Sequence, residues 1–107
     1  LVVDAASEKK AFDILILDLR NRSDLTDSFM ICSANSKVQA QSIVDAILEK
    51  CQLAKIKSLG VEGYSGGYWI VVDLGDLIAH IFHKEARLHY DLERLWGDVP
   101  VIKAVGE

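Results

Sequence analysis

Long apolar runs are missing from this chain of 107 residues: no stretch approaches the roughly 20 apolar residues that a bilayer span requires, and no secretory signal peptide is visible at its start. Cysteine is scarce. Cys32 falls in an apolar strand candidate and Cys51 on a helix candidate, so both read as small buried hydrophobes in a reducing compartment rather than as a disulfide framework. The cytoplasm is the expected location. A basic patch is also absent. The formal net charge is −4, and the Lys and Arg residues are scattered. The nearest approach to a cluster is Lys50, Lys55 and Lys57, which reads as a solvated helix end. A protein that neutralises phosphates needs clustered cations, so little direct nucleic-acid contact is expected. Proline occurs once, at Pro100, and neither an internal repeat nor a second domain is visible.

Half of the residues are hydrophobic and 26% are charged, a globular balance. A chain this long buries roughly 60 to 70% of its unfolded surface, enough for one core, and residues 1–107 read as one domain. Residues 2–12 read as a short helix whose natural start is missing. Ile14 to Leu19 and Ser28 to Ser33 read as strands joined by a polar turn, an antiparallel hairpin. Ser36 to Leu53 is the clearest helix. Ser36 and Gln39 fit a capping box, and Ala40, Ile43, Val44, Ile47 and Cys51 fall on one stripe, widened by Leu48. A connector with a short strand at 56–61 and a flexible glycine loop follows. Pro100 follows the last helix, and residues 98–107 read as a loose tail. The order α-β-β-α-β-β-β-α predicts an α/β fold, a mixed sheet covered by helices.

The densest stretch runs from Tyr68 to Trp96. Tyr68 to Asp73 is a β-branched strand, and Asp73-Leu74-Gly75-Asp76 is a tight turn. Leu77 to His83 is a strand apolar on both faces. Glu85 to Trp96 is a helix with Leu88, Leu92 and Leu95 on its inner stripe and Gly97 as its stop. Within it stand Trp69-Ile70-Val71-Val72-Asp73-Leu74-Gly75-Asp76, His80-Ile81-Phe82, and Arg87 through Tyr90 to Leu92-Glu93-Arg94-Leu95-Trp96. Gly60-Val61-Glu62-Gly63 precedes them, and Asp18-Leu19-Arg20 and Ser28 to Ser36 lie upstream. From about Ala11 to Trp96 this order of motifs resembles the ribosomal silencing factor family, the Iojap-related proteins. The resemblance implies a nucleotidyltransferase-like core without its catalytic motif. It also implies a non-catalytic translation repressor that docks on the large ribosomal subunit, through large-subunit ribosomal protein fourteen, and blocks joining of the small subunit.

An enzyme is the alternative, a nucleotide- or phosphate-handling activity on a nucleotidyltransferase-like fold. Asp18 and Asp73 follow apolar strand residues, where catalytic carboxylates of α/β enzymes often sit. A metal-binding pair would need two carboxylates two residues apart, leaving one strand face together. Asp73 and Asp76 are three apart across a turn, and read better as strand-end caps or partner contacts. His80 and His83 point to opposite strand faces, which predicts a buried, hydrogen-bonded His80, an exposed His83 and no metal centre. Gly60, Gly63, Gly66 and Gly67 lead into a strand rather than a helix, with no Lys-Ser or Lys-Thr behind them, so they make no phosphate cradle. No cofactor is expected.

A binding surface remains. Trp69 opens a strand beside a glycine loop, so its ring is expected near the sheet's rim, where a large aromatic can fill a partner's pocket. Glu62, Asp73 and Asp76 are expected to form an acidic rim around it. Ile70 is counted with the contact residues, although its side chain and that of Val72 leave the face opposite to Trp69, Val71 and Asp73. Trp96 reads as core first and contact second, and Arg87 with Asp91 as a helix-surface pair. A homodimer is a further expectation, because a second copy could cover an apolar strand edge.

Overall fold

The computed structural model describes residues 2–20, 24, 26–89 and 101–105, with backbone alone for 89 and 101–105. Its elements are α1 (Val2–Glu8), β1 (Phe12–Asp18), β2 (Ser28–Ala34), α2 (Lys37–Leu53), β3 (Gly60–Glu62), β4 (Trp69–Asp73), β5 (Leu77–His83), α3 (Lys84–His89) and β6 (Val101–Val105). The strands form one six-stranded sheet in the order β3-β4-β5-β2-β1-β6. Neighbours are antiparallel except β2 and β5, which run parallel. This is the mixed sheet the element order predicts. The parallel pair is where chain topology demands it, because the β2 to β5 connection carries the α2 crossover.

One face of the sheet is closed by α1 and α2. The stripe Ala40, Ile43, Val44, Ile47 and Cys51 packs with Ala5 and Ala6 against Ile14, Met30, Cys32, Ile70, Val72, Ala79 and Ile81. Ser36 caps α2 as its position suggests, accepting the backbone N–H of Gln39 at 3.0 Å. The Gln39 amide does more than a capping box asks. Its carbonyl accepts the N–H of Asn35, and its NH2 donates to the carbonyls of Lys9 and Lys10, tying the end of α1 to the start of α2. An ion pair between Lys50 and Glu8 joins the same two helices. Lys50 is thus engaged with α1 rather than only solvated.

Both helices end alike. The N–H of Ala11 reaches the carbonyl of Ala6 while that of Lys10 reaches Ser7, and Ile56 to Cys51 with Lys55 to Gln52 repeats the pattern. These are Schellman closures, which require a left-handed residue. Lysine fills that position each time, with φ of 68° at Lys10 and 62° at Lys55.

Two expectations are corrected here. Residues 98–107 are not a loose tail throughout, because Val101–Val105 pairs antiparallel with β1, placing Leu17 opposite Val101 and Ile14 opposite Val105. Its β-branched residues suit a strand, and a proline just before an edge strand is tolerated because it removes no inner ladder bond. The stripe on the last helix also fails at its first member. Leu88 is 86% exposed, and Ala86 is the inward residue. Leu92, Leu95, Trp96 and Gly97 lie outside the described residues. Among the described residues, no helix is long and apolar enough to cross a membrane.

Candidate partner-binding site

Strand registry decides which residues share the second face. Trp69 stands opposite Phe82, Val71 opposite His80, and Asp73 opposite Ile78. Across the parallel pair, Ile78, His80 and Phe82 face Phe29, Ile31 and Ser33. On the other side Glu62 is opposite Val71 and Gly60 opposite Asp73. Directly opposed residues share a face. Trp69, Val71, Asp73 and Glu62 therefore stand on one surface at the β3–β4 edge, over a cluster of Leu17, Leu19, Phe29, Ile31, Ile78, Phe82 and Ala86.

Trp69 is partly buried, as a rim residue should be. Its indole stacks on Phe82 with ring centres 5.1 Å apart. Its Nε1–H donates to Nδ1 of His80 at 3.1 Å. His80 is buried at 7% exposure and packs edge-on against Phe29 at 4.5 Å. Desolvation lowers its pKa to about 4, so the ring is neutral near pH 7. An accepting Nδ1 leaves the proton of the neutral ring on Nε2, and that nitrogen is buried without a hydrogen-bonding partner among the described residues.

The loop before Trp69 is tied to α2 through Tyr64. Gln41 of α2 donates to the carbonyl of Tyr64, and the Tyr64 hydroxyl donates to Asp45 at 2.9 Å. Gly63 has φ of 80°, and a Cβ there would stand 2.2 Å from the carbonyl oxygen of Trp69. Only glycine lets this loop lie so close to the start of β4. At the other end of β4, Asp73 accepts the N–H of Gly75 at 2.9 Å, and Gly75 takes φ of 89°.

The acids do not surround Trp69. Glu62 is exposed beside Val71, diagonal to Trp69, but Asp73 lies four residues along β4, about 13 Å away at the usual rise of ~3.3 Å per residue. Asp76 is exposed in the turn beyond, its backbone carbonyl accepting the N–H groups of Asp27 and Ser28. The arrangement is a row, Trp69 then Glu62 and Val71 then Asp73, with Asp76 past its end. Ile70 drops out of the site. It has 0% exposure and packs in the aliphatic core of the opposite face, where strand alternation sends it.

The residues weighed for chemistry are engaged elsewhere. Asp18 is held by both Nε and Nη2 of Arg20, which with the Arg20 backbone N–H keeps its carboxyl well below the usual range, at about 2. Cys32 is fully buried with its thiol pushed up to about 12, and Cys51 is buried too. His83 is partly buried rather than exposed, stacked on Tyr68 with Nδ1 accepting the N–H of Glu85 at the start of α3. Arg87 donates to the carbonyl of Asp13, a β1 residue with φ of 50°, and to Ser33 Oγ; Asp91, its expected partner, lies outside the described residues. Among the described residues, no group of three His, Cys, Asp or Glu could hold a metal ion.

Sequence reasoning missed the Trp69–His80 bond and the aromatic bed beneath it. The available signal was the i, i+2 spacing of His80 and Phe82 in a strand paired with one opening on Trp69. Pairing register, which no single segment prints, was needed to use it.

This sheet recurs in known proteins. All 107 residues match the family described as ribosomal silencing factor during starvation. The chain is 39% identical over 106 residues to the ribosomal silencing factor RsfS of Halalkalibacterium halodurans, covering 99% of this chain and 91% of that one. It is 42% identical over 97 residues to RsfS of Bacillus subtilis, covering 91% and 82%. A crystal structure of a Chromobacterium violaceum protein superposes with a TM-score of 0.88 at 30% identity, covering 91% of this chain and 81% of that one. The chain belongs to the ribosomal silencing factor family. A more distant relative, 27% identical over 90% of this chain and 43% of its own length, is the mouse mitochondrial assembly of ribosomal large subunit protein 1.

Proposed function

We propose that this protein represses translation in the cytoplasm by binding the large ribosomal subunit through large-subunit ribosomal protein fourteen and excluding the small subunit. The observation that carries the docking face is Trp69, a partly buried indole at a sheet edge, with Val71 beside it and the acids Glu62 and Asp73 in the same row. An aromatic anchor at the end of a row that carries acids suits a basic protein surface, and a net charge of −4 disfavours a grip led by RNA phosphates. The relatives named for ribosomal silencing support the ribosome as target, and the one named for assembly of the ribosomal large subunit supports the choice of subunit. Occupancy alone blocks joining, with no chemical step and no cofactor, and one domain suffices. Asp18 is engaged by Arg20 and Asp73 by a turn N–H, so among the described residues these two carboxylates do not stand as a convergent pair for the enzymatic alternative. A second copy pairing along the three-residue β3 edge is a competing occupant.

Retention of isolated large and small subunits on the immobilised chain tests the proposal, together with light-scattering of subunit association. Selective retention of the large subunit and inhibition of joining that survives EDTA are expected. Equal retention of both subunits, or inhibition abolished by chelating the protein sample alone, would overturn it.

A further inference from the structure

His80 is an uncomfortable residue for the place it occupies. Its ring lies among Phe29, Phe82 and Trp69, and its Nε2–H is buried unpaired among the described residues. A leucine there would leave no donor unmet, so packing alone does not explain a histidine. Its one polar contact among the described residues is the hydrogen bond accepted from Trp69. Stacking on Phe82 fixes the plane of the indole, and a bond at Nε1 fixes its rotation within that plane.

We propose that His80 is the positioning residue of the docking face, its Nδ1 holding the Trp69 indole in the orientation the partner meets. The proposal rests on the reading of Trp69 as the anchor. A ring ordered before contact loses less freedom on binding, so affinity gains without any new contact. The buried imidazole stays neutral near pH 7, which keeps Nδ1 an acceptor there.

Binding of the large subunit and urea unfolding are measured for the full chain carrying His80→Leu, His80→Asn, Trp69→Phe, Trp69→Ala, and His80→Leu with Trp69→Phe. His80→Leu is expected to weaken binding about 10-fold, the equivalent of one net hydrogen bond, with an unfolding midpoint equal to or above the parent's. Trp69→Phe keeps a stacking ring but loses the donor, and should lose a similar factor. The double variant should lose no more than either single one, because both remove the same bond. His80→Asn, whose Oδ1 can stand where Nδ1 stood, should recover binding to within roughly 3-fold. Wild-type binding by His80→Leu while Trp69→Ala binds weakly overturns the positioning role. So do multiplicative losses in the double variant, or a His80→Leu chain whose lost binding tracks lost stability. Normal binding by Trp69→Ala would instead remove the anchor itself, and His80's role with it.

Discussion

On the face that α1 and α2 cover, the core is aliphatic: Met30, Ile43, Val44, Ile47, Ile70, Val72 and Ile81 are wholly buried. Around it the polar groups are closed off by capping and by ties between the helices. The opposite face adds rings to aliphatic side chains such as Leu17, Leu19, Ile31 and Ile78: His80 contacts Phe29, Trp69 and Phe82, Trp69 stacks on Phe82 and bonds to His80, and one buried nitrogen is unpaired among the described residues. The first arrangement buries aliphatic side chains and, among the described residues, leaves no buried side-chain nitrogen or oxygen unpaired, which stabilises a fold. The second retains polar atoms where apolar ones would fit. The proposed docking role would account for a cost of that kind, which stability alone does not require.

The contrast breaks most visibly under truncation. Ile47→Ala, on the aliphatic face, should lower stability by about 2 to 5 kcal/mol, since a fully buried side chain leaves a cavity. The fraction still folded should bind the large subunit as the parent does. Trp69→Ala should show the reverse emphasis, losing roughly 30- to 1,000-fold in affinity, the about 2 to 4 kcal/mol of an aromatic anchor. Urea unfolding alongside subunit binding separates the two. Comparable binding losses from both folded variants would erase the distinction between the faces.

Acid sharpens it. The folded-state pKa of His80 lies near 4 against an ordinary 6.5, so the unfolded chain takes up a proton first as pH falls. Stability from this group is intact above pH 6.5, declines between 6.5 and 4, and reaches a loss of about 3 kcal/mol at the lower end. Asp18 acts lower: its carboxylate, held down by Arg20, supports folding above about pH 4 and loses that support as pH falls toward 2. Denaturant midpoints between pH 7 and 4 should therefore fall less steeply in His80→Leu. Identical slopes in the two proteins would show that His80 titrates normally.

Charge changes on the docking row should do less. Glu62→Gln and Asp73→Asn should each weaken large-subunit binding by roughly 2- to 5-fold, the range of exposed ion pairs, with an effect that shrinks as salt is raised. Lys50→Gln, which breaks only the tie to Glu8, should leave binding unchanged. Equal losses for all three would indicate a non-specific field.

Local pattern carried the aliphatic face well. The stripe on α2, the hairpin of β1 and β2 and the alternation that separates Ile70 from Trp69 follow from periods of 3.6 and 2. The ring face was only half legible. Trp69 stood out by type, but its partner depends on which strand lies opposite and in what register, a tertiary fact. For the same reason the acids expected around Trp69 resolve into a row: nearness in sequence along a strand is distance in space. Val101–Val105 was hidden by its place behind a proline near the end of the sequence, where loss of order is the usual expectation.

The smallest effect belongs to the two lysines that close α1 and α2. A non-glycine residue in the left-handed region costs about 1 to 2 kcal/mol. Glycine removes that cost but gives back about 0.5 to 1 kcal/mol through a more flexible unfolded chain. Lys10→Gly and Lys55→Gly should each raise stability by a net ~0.5 kcal/mol, and the two gains should add, because separate helices own them. Lys10 also offers its carbonyl to Gln39, a bond that glycine preserves. Neither change touches the ring face, so large-subunit affinity should not move while the urea midpoint rises. A gain in stability that lowered affinity would mean that the helical face is coupled to docking, and the division between the two faces would have to be abandoned.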